Sequence, residues 1–202
     1  MKKYTVFPNK AIEEAGLISQ TFLRLGIKDF QSACRYVHEL PYGYNSNRDD
    51  LMILFKENMG SCTTKHAVIA TLAFEMNLEI VKHIGIYAMT EDIVTGTKKI
   101  LDAYELPYVP MVHCFLGFQG NYVDLSEGNR NGKNGPIDNF LFIRAVTANI
   151  SAKKEYLLYR KALKENILPR EEMNAVSLKI VLKAREDGIG LLNAKMKQSH
   201  QG

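Results

Sequence analysis

Cys62 stands where a helix is predicted to begin, and that position suits a nucleophilic thiol. Residues 61–78 are polar only in their first turn and apolar on nearly every side beyond it, which is typical of a helix buried in the middle of a domain. Ser61 is a suitable N-cap residue. Unsatisfied N–H groups and the helix dipole at this end favour the thiolate form of Cys62. The alternative interpretation is a small apolar filler.

A predicted hairpin over residues 109–125 supplies partners for this thiol. Strand alternation puts His113 on one face and Cys114 on the opposite, apolar face, so Cys114 is expected to be buried and inert. Any two-residue turn brings Asp124 to the face of His113, because odd positions of the first strand then lie level with even positions of the second.

The separation of His113 and Asp124 depends on where that turn falls. The turn can fall at Phe118-Gln119, at Gln119-Gly120 or at Gly120-Asn121. The first register puts the two residues directly opposite, the second sets them on a diagonal, and the third separates them too far for contact. In the first two, Asp124 accepts a hydrogen bond from one ring nitrogen of His113, and the other nitrogen takes a proton from Cys62. The three residues are therefore predicted to act as nucleophile, base and orienting carboxylate.

The stretch G-S-C-T-T-K-H-A-V-I-A-T-L-A-F-E-M-N-L-E-I resembles the signature helix of the transglutaminase-like superfamily. The order of parts is also similar: a glycine before the nucleophilic Cys, an apolar helix, a strand, then one strand with His and the next with Asp. Gly60, Cys62, His113 and Asp124 occupy those positions, and the upstream L-P-Y-G-Y-N-S-N is similar to a tyrosine-rich segment of bacterial members. The resemblance covers about residues 28–146. It implies a papain-like fold with thiol chemistry on amides or esters and no metal or other cofactor.

Such chemistry passes through a tetrahedral intermediate whose oxyanion needs hydrogen-bond donors. The backbone N–H of Cys62 is expected to be one donor, because it lies at the helix start. The resemblance implies a second donor from an upstream side chain. The candidates are Tyr44, Asn45 and Asn47, of which Tyr44 is preferred, although each is also an ordinary turn residue.

The elements that must position these residues predict an α+β fold. Within a predicted helical region over 9–40, apolar residues at i, i+3, i+4 and i+7 share one face: Phe30, Ala33, Cys34 and Val37. The later elements are a strand over 80–89, an ambiguous segment over 91–104, a Gly- and Asn-rich loop from 126, a strand over 139–146, and helices over 152–165 and 169–186. We expect one transglutaminase-like domain over 1–202, in which the Cys helix packs on an antiparallel sheet and a helical extension covers about 151–198.

The composition restricts the class of protein. The chain has 202 residues, with 46% hydrophobic and 24% charged residues, which is close to the globular average. Its longest apolar stretch is too short to span a bilayer, and its N-terminus lacks the apolar region of a signal peptide, so we expect a cytoplasmic protein. Three cysteines cannot all pair within the chain, and free thiols are expected.

The leading hypothesis is a hydrolase that cleaves a peptide or other amide bond through an acyl-enzyme on Cys62. One alternative is acyl transfer to an amine. Hydrolysis is preferred because the Gly- and Asn-rich loop over 126–139 is expected to be too mobile to seal the site from water. A second alternative is a non-catalytic peptide-binding module on the same fold.

Two further alternatives carry less weight. Residues 151–202 contain 11 Lys and Arg against 6 Asp and Glu, so a nucleic-acid surface is conceivable, but the helical spacing of these charges favours a solvated helix face. Cys62 and His66 are four residues apart and, with His113 and Asp124, would give zinc four ligands. The paired Cys-x-x-Cys spacing of structural zinc sites is missing, so we expect no metal. Because the charges are better explained by a solvated helix face, we also expect no nucleic-acid partner.

Overall fold

The computed structural model of the chain describes residues 3–199 and has an α+β fold, as predicted. Seven α-helices form in this part of the chain: α1 Leu17–Arg24, α2 Phe30–Glu39, α3 Ile53–Glu57, α4 Cys62–Glu75, α5 Thr97–Tyr104, α6 Ala152–Ala162 and α7 Leu178–Ser199. The four strands of one antiparallel sheet, in the order β3-β2-β1-β4, are β1 Val81–Met89, β2 Val109–Phe118, β3 Asn121–Val123 and β4 Phe142–Ala145. Within the described residues, no helix combines the length and apolar character that a membrane span requires.

The chain divides into two compact units, each with its own hydrophobic core. Of the described residues, unit 1 contains 3–84, 114–129 and 145–152, and unit 2 contains 85–113, 130–144 and 153–199. Strands β1 and β2 each contain residues of both units. The single-domain organisation stays a prediction.

Helix α4 lies at the centre of unit 1, because α1, α2 and α3 all contact it. Nearly all of its residues are buried, which confirms the predicted central helix. The four predicted core residues of α2 have no exposed surface: Phe30, Ala33, Cys34 and Val37. Apolar residues of the hairpin, Leu116, Val123 and Leu125, belong to the same core, so α4 packs on the sheet.

The hairpin turns at Gln119 and Gly120, both of which have positive φ angles. This turn pairs Leu116 with Val123 and Phe118 with Asn121. The pairing is the second of the three registers considered above. Gly120 suits the left-handed conformation because it has no Cβ to clash with the backbone.

The core of unit 2 contains the other halves of β1 and β2 together with residues of α5, α6 and α7. Tyr159 on α6 is buried, and its hydroxyl donates a hydrogen bond to the backbone oxygen of Pro110, 2.8 Å away. Glu91 accepts hydrogen bonds from the backbone N–H groups of Gly96 and Lys98 at the start of α5. This acidic cap explains why only the second part of the ambiguous segment over 91–104 is helical.

Two predicted helix boundaries are wrong. Residues 9–16 are not helical; Ala11 instead pairs with Asp29 in an isolated bridge, which uses the backbone groups that a helix would need. The predicted helix over 169–186 begins only at Leu178 and extends to Ser199. Ala175, with φ of 66°, lies in the left-handed region and interrupts any helix before that point.

Candidate thiol site

Cys62 is the first residue of α4, as predicted. Ser61 is the N-cap residue in extended conformation, but its side chain makes no capping hydrogen bond, and the first turn has no acidic residue. Gly60 is required before it, because a Cβ there would lie 2.8 Å from Thr64 Oγ1 and 3.2 Å from Lys65 Cγ. The local backbone therefore packs tightly against α4 and leaves the cap of the first turn to other groups.

Tyr42 provides that contact, and the sequence interpretation did not identify it. Its hydroxyl is hydrogen-bonded to the side chain of Cys62 and accepts the backbone N–H of Cys62. Burial raises the pKa of Tyr42 well above its ordinary value, and the nearby acidic groups of Cys62 and Tyr44 raise it further. The phenol is therefore held in its neutral, hydrogen-bond-donating form directly at the thiol.

A parallel bridge between Tyr42 and Gly60 brings the phenol to this place. Gly60 N–H donates to the backbone oxygen of Pro41 at 3.1 Å, and Gly43 N–H donates to that of Gly60 at 3.3 Å. The segment before α4 thus runs alongside the residue that precedes the helix. A signal for Tyr42 was present in the P-Y-G-Y motif, but the pairing with Gly60 is a tertiary contact that no local pattern predicts.

The three predicted oxyanion candidates lie further along this segment. Tyr44 is 43% exposed and contacts Tyr42 edge-on, with 6.4 Å between ring centroids. Asn45 donates to Glu57 Oε2 at 2.8 Å and accepts from Thr64 Oγ1 at 2.7 Å. These bonds give Asn45 a role in fixing the segment to α4.

Asn47 lies on the exposed side of the segment. Its side-chain oxygen accepts the backbone N–H of Asp49 at 3.2 Å, a short-range turn contact. The oxyanion roles of Tyr44, Asn45 and Asn47 stay predictions.

Asp124 follows directly after β3 and is held in a fixed orientation. Its Oδ1 atom accepts hydrogen bonds from the backbone N–H and the hydroxyl of Ser126, both at 2.7 Å. The same oxygen lies 3.5 Å from Nε2 of His66, and the side chain of Asp124 retains 18% exposure. A fixed carboxylate of this kind is suited to orienting an imidazole.

His66 lies one turn after Cys62 and is completely buried. Its Nδ1 bonds to the backbone oxygen of Cys62 at 2.6 Å, and its Nε2 accepts the backbone N–H of Leu125 at 2.8 Å. The two bonds together define the neutral tautomer with the proton on Nδ1. Both ring nitrogens thus have backbone partners, which gives His66 a structural role between α4 and the hairpin.

The zinc alternative requires Cys62, His66, His113 and Asp124 to lie around one ion. Within residues 3–199, no group of three or more His, Cys, Asp and Glu side chains is arranged to hold a metal ion. The bonds of His66 to the backbone also occupy the nitrogens that a zinc ion would need.

His113 lies on β2 and is the last residue of its segment of unit 2, whereas Cys62 and Asp124 belong to unit 1. Within unit 2 the imidazole is buried and meets Tyr87 edge-on, with 6.4 Å between ring centroids. The next residue, Cys114, opens a segment of unit 1, and its sulfur lies 3.6 Å from Thr63 Oγ1 on α4. Cys114 has no exposed surface, as predicted.

Two buried lysines near Cys62 were also not predicted from the sequence. Lys65 has no exposed surface, and its ammonium donates to the backbone oxygens of Leu40 at 2.5 Å and His38 at 3.2 Å. Lys82 is equally buried and donates to the backbone oxygen of Thr63 at 2.9 Å. Lysine is almost never fully buried without partners, so a pattern of apolar spacing does not point to it.

Two asparagine side chains of the loop after Asp124 bond to backbone groups outside the loop. In unit 1, the side chain of Asn129 donates to the backbone oxygen of His38. In unit 2, the side chain of Asn134 donates to the backbone oxygen of Asp92 at 3.0 Å. Asparagine amides thus attach the loop at two points, and its mobility stays a prediction.

Comparison with known proteins leaves the site to be interpreted from its own chemistry: no protein-family model, no curated protein and no solved structure matches the chain. Unit 1 contains a thiol at a helix start, a neutral phenol at that thiol and a carboxylate fixed by a serine. Together with an imidazole, such groups are suited to nucleophilic attack on a carbonyl carbon.

Proposed function

We propose that the chain is a thiol-dependent hydrolase with a transglutaminase-like fold, which cleaves a peptide or other amide bond through an acyl-enzyme on Cys62. The observation that carries the proposal is the place of Cys62 at the start of α4, with the Tyr42 hydroxyl at both its thiol and its backbone N–H. The substrate is a peptide or amide, no metal or other cofactor is required, and the cytoplasm is the expected location.

In the acylation step, His113 takes the proton of the Cys62 thiol, and the sulfur attacks the carbonyl carbon of the amide. A carbon–sulfur bond forms while the carbonyl electron pair moves to the oxygen. Collapse of this intermediate breaks the carbon–nitrogen bond, and His113 gives the proton to the departing amine. The products are a thioester on Cys62 and a free amine.

In the deacylation step, water attacks the thioester carbon and gives a proton to His113. The carbon–sulfur bond breaks, the carboxylic acid leaves, and the proton returns to the sulfur of Cys62. Throughout both steps Asp124 accepts a hydrogen bond from the second ring nitrogen of His113 and so holds the imidazole in the required tautomer.

The hairpin register supports these roles. The observed turn gives the second of the three registers, which is one of the two in which Asp124 is expected within reach of His113. The contacts of Asp124 with Ser126 also support the assignment, because a carboxylate that is already oriented loses less conformational entropy when it orients a partner.

Tyr42 is our candidate for the second oxyanion donor, in preference to Tyr44. In the structure its oxygen accepts the N–H of Cys62, which is the group expected to bind the oxyanion. A substrate oxygen that displaces the phenol from this N–H would meet the phenolic O–H as a second donor. Tyr44 contacts Tyr42 and faces solvent, so its ring is better placed to contact the substrate.

The first test is the relative reactivity of the three thiols. With limiting iodoacetamide at pH 6.5, followed by mass spectrometry, we expect Cys62 to be alkylated before the other two. Cys62 retains 8% exposure, whereas Cys34 and Cys114 have none, and burial raises the pKa of Cys34 well above its usual value. Preferential labelling of Cys114 would falsify the assignment of Cys62 as nucleophile.

The second test separates hydrolysis from the alternatives. An activated ester or a glutamine-containing peptide is supplied with and without a primary amine at millimolar concentration, and the products are followed. We expect the free acid to dominate, and Cys62→Ala to abolish its formation while the control Cys34→Ala preserves it. A dominant amine adduct identifies an acyl transferase instead, and peptide binding without any turnover identifies a binding module.

A further inference from the structure

We propose that Lys65 is a positioning residue of the thiol site, because its buried ammonium fixes the end of α2 and thereby the place of Tyr42 at Cys62. The inference rests on the proposed function of Cys62 and deepens it. It assigns a role to a residue that neither the motif nor the predicted triad includes.

The contacts of Lys65 are unusual for a lysine on a central helix. Its side chain has no exposed surface, and its ammonium donates to the backbone oxygens of His38 and Leu40. These oxygens belong to the last turn and the C-cap of α2, where helical carbonyls lack an N–H partner in their own helix. A cation at this end of a helix supplies the missing donors and complements the helix dipole.

The path from Leu40 to the thiol is short. Pro41 follows Leu40, and its backbone oxygen accepts the N–H of Gly60. Tyr42 is the next residue, and it pairs with Gly60 and places its hydroxyl at Cys62. The position of the Leu40 carbonyl therefore determines the position of the backbone over residues 41–42, and with it the position of the Tyr42 hydroxyl.

The packing around Gly60 supports the same connection. A Cβ at Gly60 would lie 3.2 Å from Cγ of Lys65, so the stem of the lysine lies directly against the backbone that pairs with Tyr42. Lys65 thus bonds to the end of α2 with its ammonium, and its stem lies close to Gly60, the residue that pairs with Tyr42.

The charge of Lys65 is maintained up to about neutral pH. Burial lowers the pKa of Lys65 to about 7, and the carboxylate of Asp124 opposes that fall. Below this pH the ammonium has three N–H donors, enough for both α2 carbonyls. An experiment at pH 6 therefore examines the charged form.

A second side chain holds the same carbonyls. The side-chain amide of Asn129 donates to the backbone oxygen of His38 and, at 3.5 Å, to that of Leu40. Asn129 therefore offers a milder way to weaken this attachment without a change in the core. Lys82 offers the matched control, because it is also a buried lysine that donates to backbone oxygens, namely those of Thr63 and Ala148.

The test is a double-mutant cycle with Tyr42→Phe, run at pH 6 with an activated ester as substrate. Removal of the Tyr42 hydroxyl is expected to lower kcat by about 100-fold, the size typical of an oxyanion donor. Lys65→Met is expected to lower kcat by about tenfold, with a smaller change in KM, because the phenol is displaced from its working position. The double variant is expected to have a kcat within about twofold of that of Tyr42→Phe. The reason is that the free-energy effects of two residues are not additive when one acts through the other.

The control cycle pairs Lys82→Met with Tyr42→Phe, and there the two losses should multiply. If the losses in kcat caused by Lys65→Met and Tyr42→Phe also multiply, the inference is overturned. If Lys65→Met does not fold, as judged by circular dichroism, the cycle is run with Asn129→Ala, for which the same coupling supports the inference and additivity overturns it.

The rate of Cys62 alkylation by iodoacetamide, measured across the same variants, separates this inference from the proposed function. Alkylation depends on the reactivity of the thiol, which its hydrogen-bond partner changes, and it requires no turnover. If no variant or parent hydrolyses any ester, the proposed function fails, and coupling in the alkylation rates still decides the role of Lys65. If Tyr42→Phe and Lys65→Met change the alkylation rate independently of each other, the positioning role of Lys65 is overturned.

Discussion

The two ends of α4 are built in different ways. At the C-terminal end, Lys10 donates to the backbone oxygen of Met76, and the carboxylate of Glu75 accepts the backbone N–H groups of Ile18 and Ser19 at the start of α1. A cation lies at a helix C-terminus and an anion at a helix N-terminus, which are the arrangements that stabilise helices. This end of α4 is therefore closed by structural caps.

At the N-terminal end, the first turn of α4 contains no acidic residue, and the side chain of Ser61 makes no capping hydrogen bond. A tyrosine hydroxyl and a thiol meet there instead, and the capping carboxylate that ordinary stability would favour is missing. The comparison shows that the N–H of Cys62, the group expected to bind an oxyanion, is bonded to a phenol oxygen and not to a carboxylate of its own first turn.

The largest effect is expected at Asp124, beside the N-terminal end. Asp124→Asn keeps an oxygen for the bonds from Ser126, so the fold should persist. In the proposed mechanism it removes the acceptor that fixes the tautomer of His113. We expect kcat for ester or amide hydrolysis to fall by about 10⁴-fold, as in another triad with the same change. The control Ser126→Ala removes one bond to the carboxylate and should cost less than about tenfold. An Asp124→Asn variant as active as the parent would leave Asp124 as a hairpin residue only.

A smaller effect is expected at Tyr42. Tyr42→Phe removes one oxyanion donor and should lower kcat by about 100-fold, with little change in KM. The matched control is Tyr44→Phe, which removes a hydroxyl from the exposed ring and should change kcat by less than about threefold. Steady-state kinetics on both variants checks this. A larger loss for Tyr44→Phe would support Tyr44, the residue preferred from the sequence.

The smallest effect on chemistry is expected at the other end of the helix. Glu75→Gln weakens the cap of α1 and should lower the free energy of unfolding by about 1 kcal/mol, or the melting temperature by about 2–4 °C. The alkylation rate of Cys62 should not change, because the substitution lies at the opposite end of α4. Glu79→Gln, at an exposed position, is the control for charge removal and should leave the melting temperature unchanged. A Glu75→Gln variant with slower alkylation would mean that the two ends are not independent.

The sequence by itself determined the elements in which chemistry is proposed. Apolar residues on all sides of residues 61–78 predicted a central buried helix, and strand alternation with a Gly-containing turn predicted the hairpin. Both rest on local periodicity, which burial enforces at every turn or pair of residues. For the same reason the face of α2 that carries Phe30 and Val37 was predicted correctly.

Tertiary structure decided which side chains meet Cys62. The bridge that brings Tyr42 to the thiol, the bond between His66 and the backbone of Leu125 and the burial of Lys65 under α2 all join residues distant in sequence. Such contacts depend on how whole elements pack, and residue type gives no signal for them: a tyrosine in a turn segment or a lysine on a helix ordinarily faces water. The sequence therefore determined the helix and the hairpin. Packing determined that Tyr42 bonds to Cys62 and that Lys65 bonds to the end of α2. The physical reason is that a buried polar group needs a hydrogen-bond partner, and only the packed fold decides which partner is near.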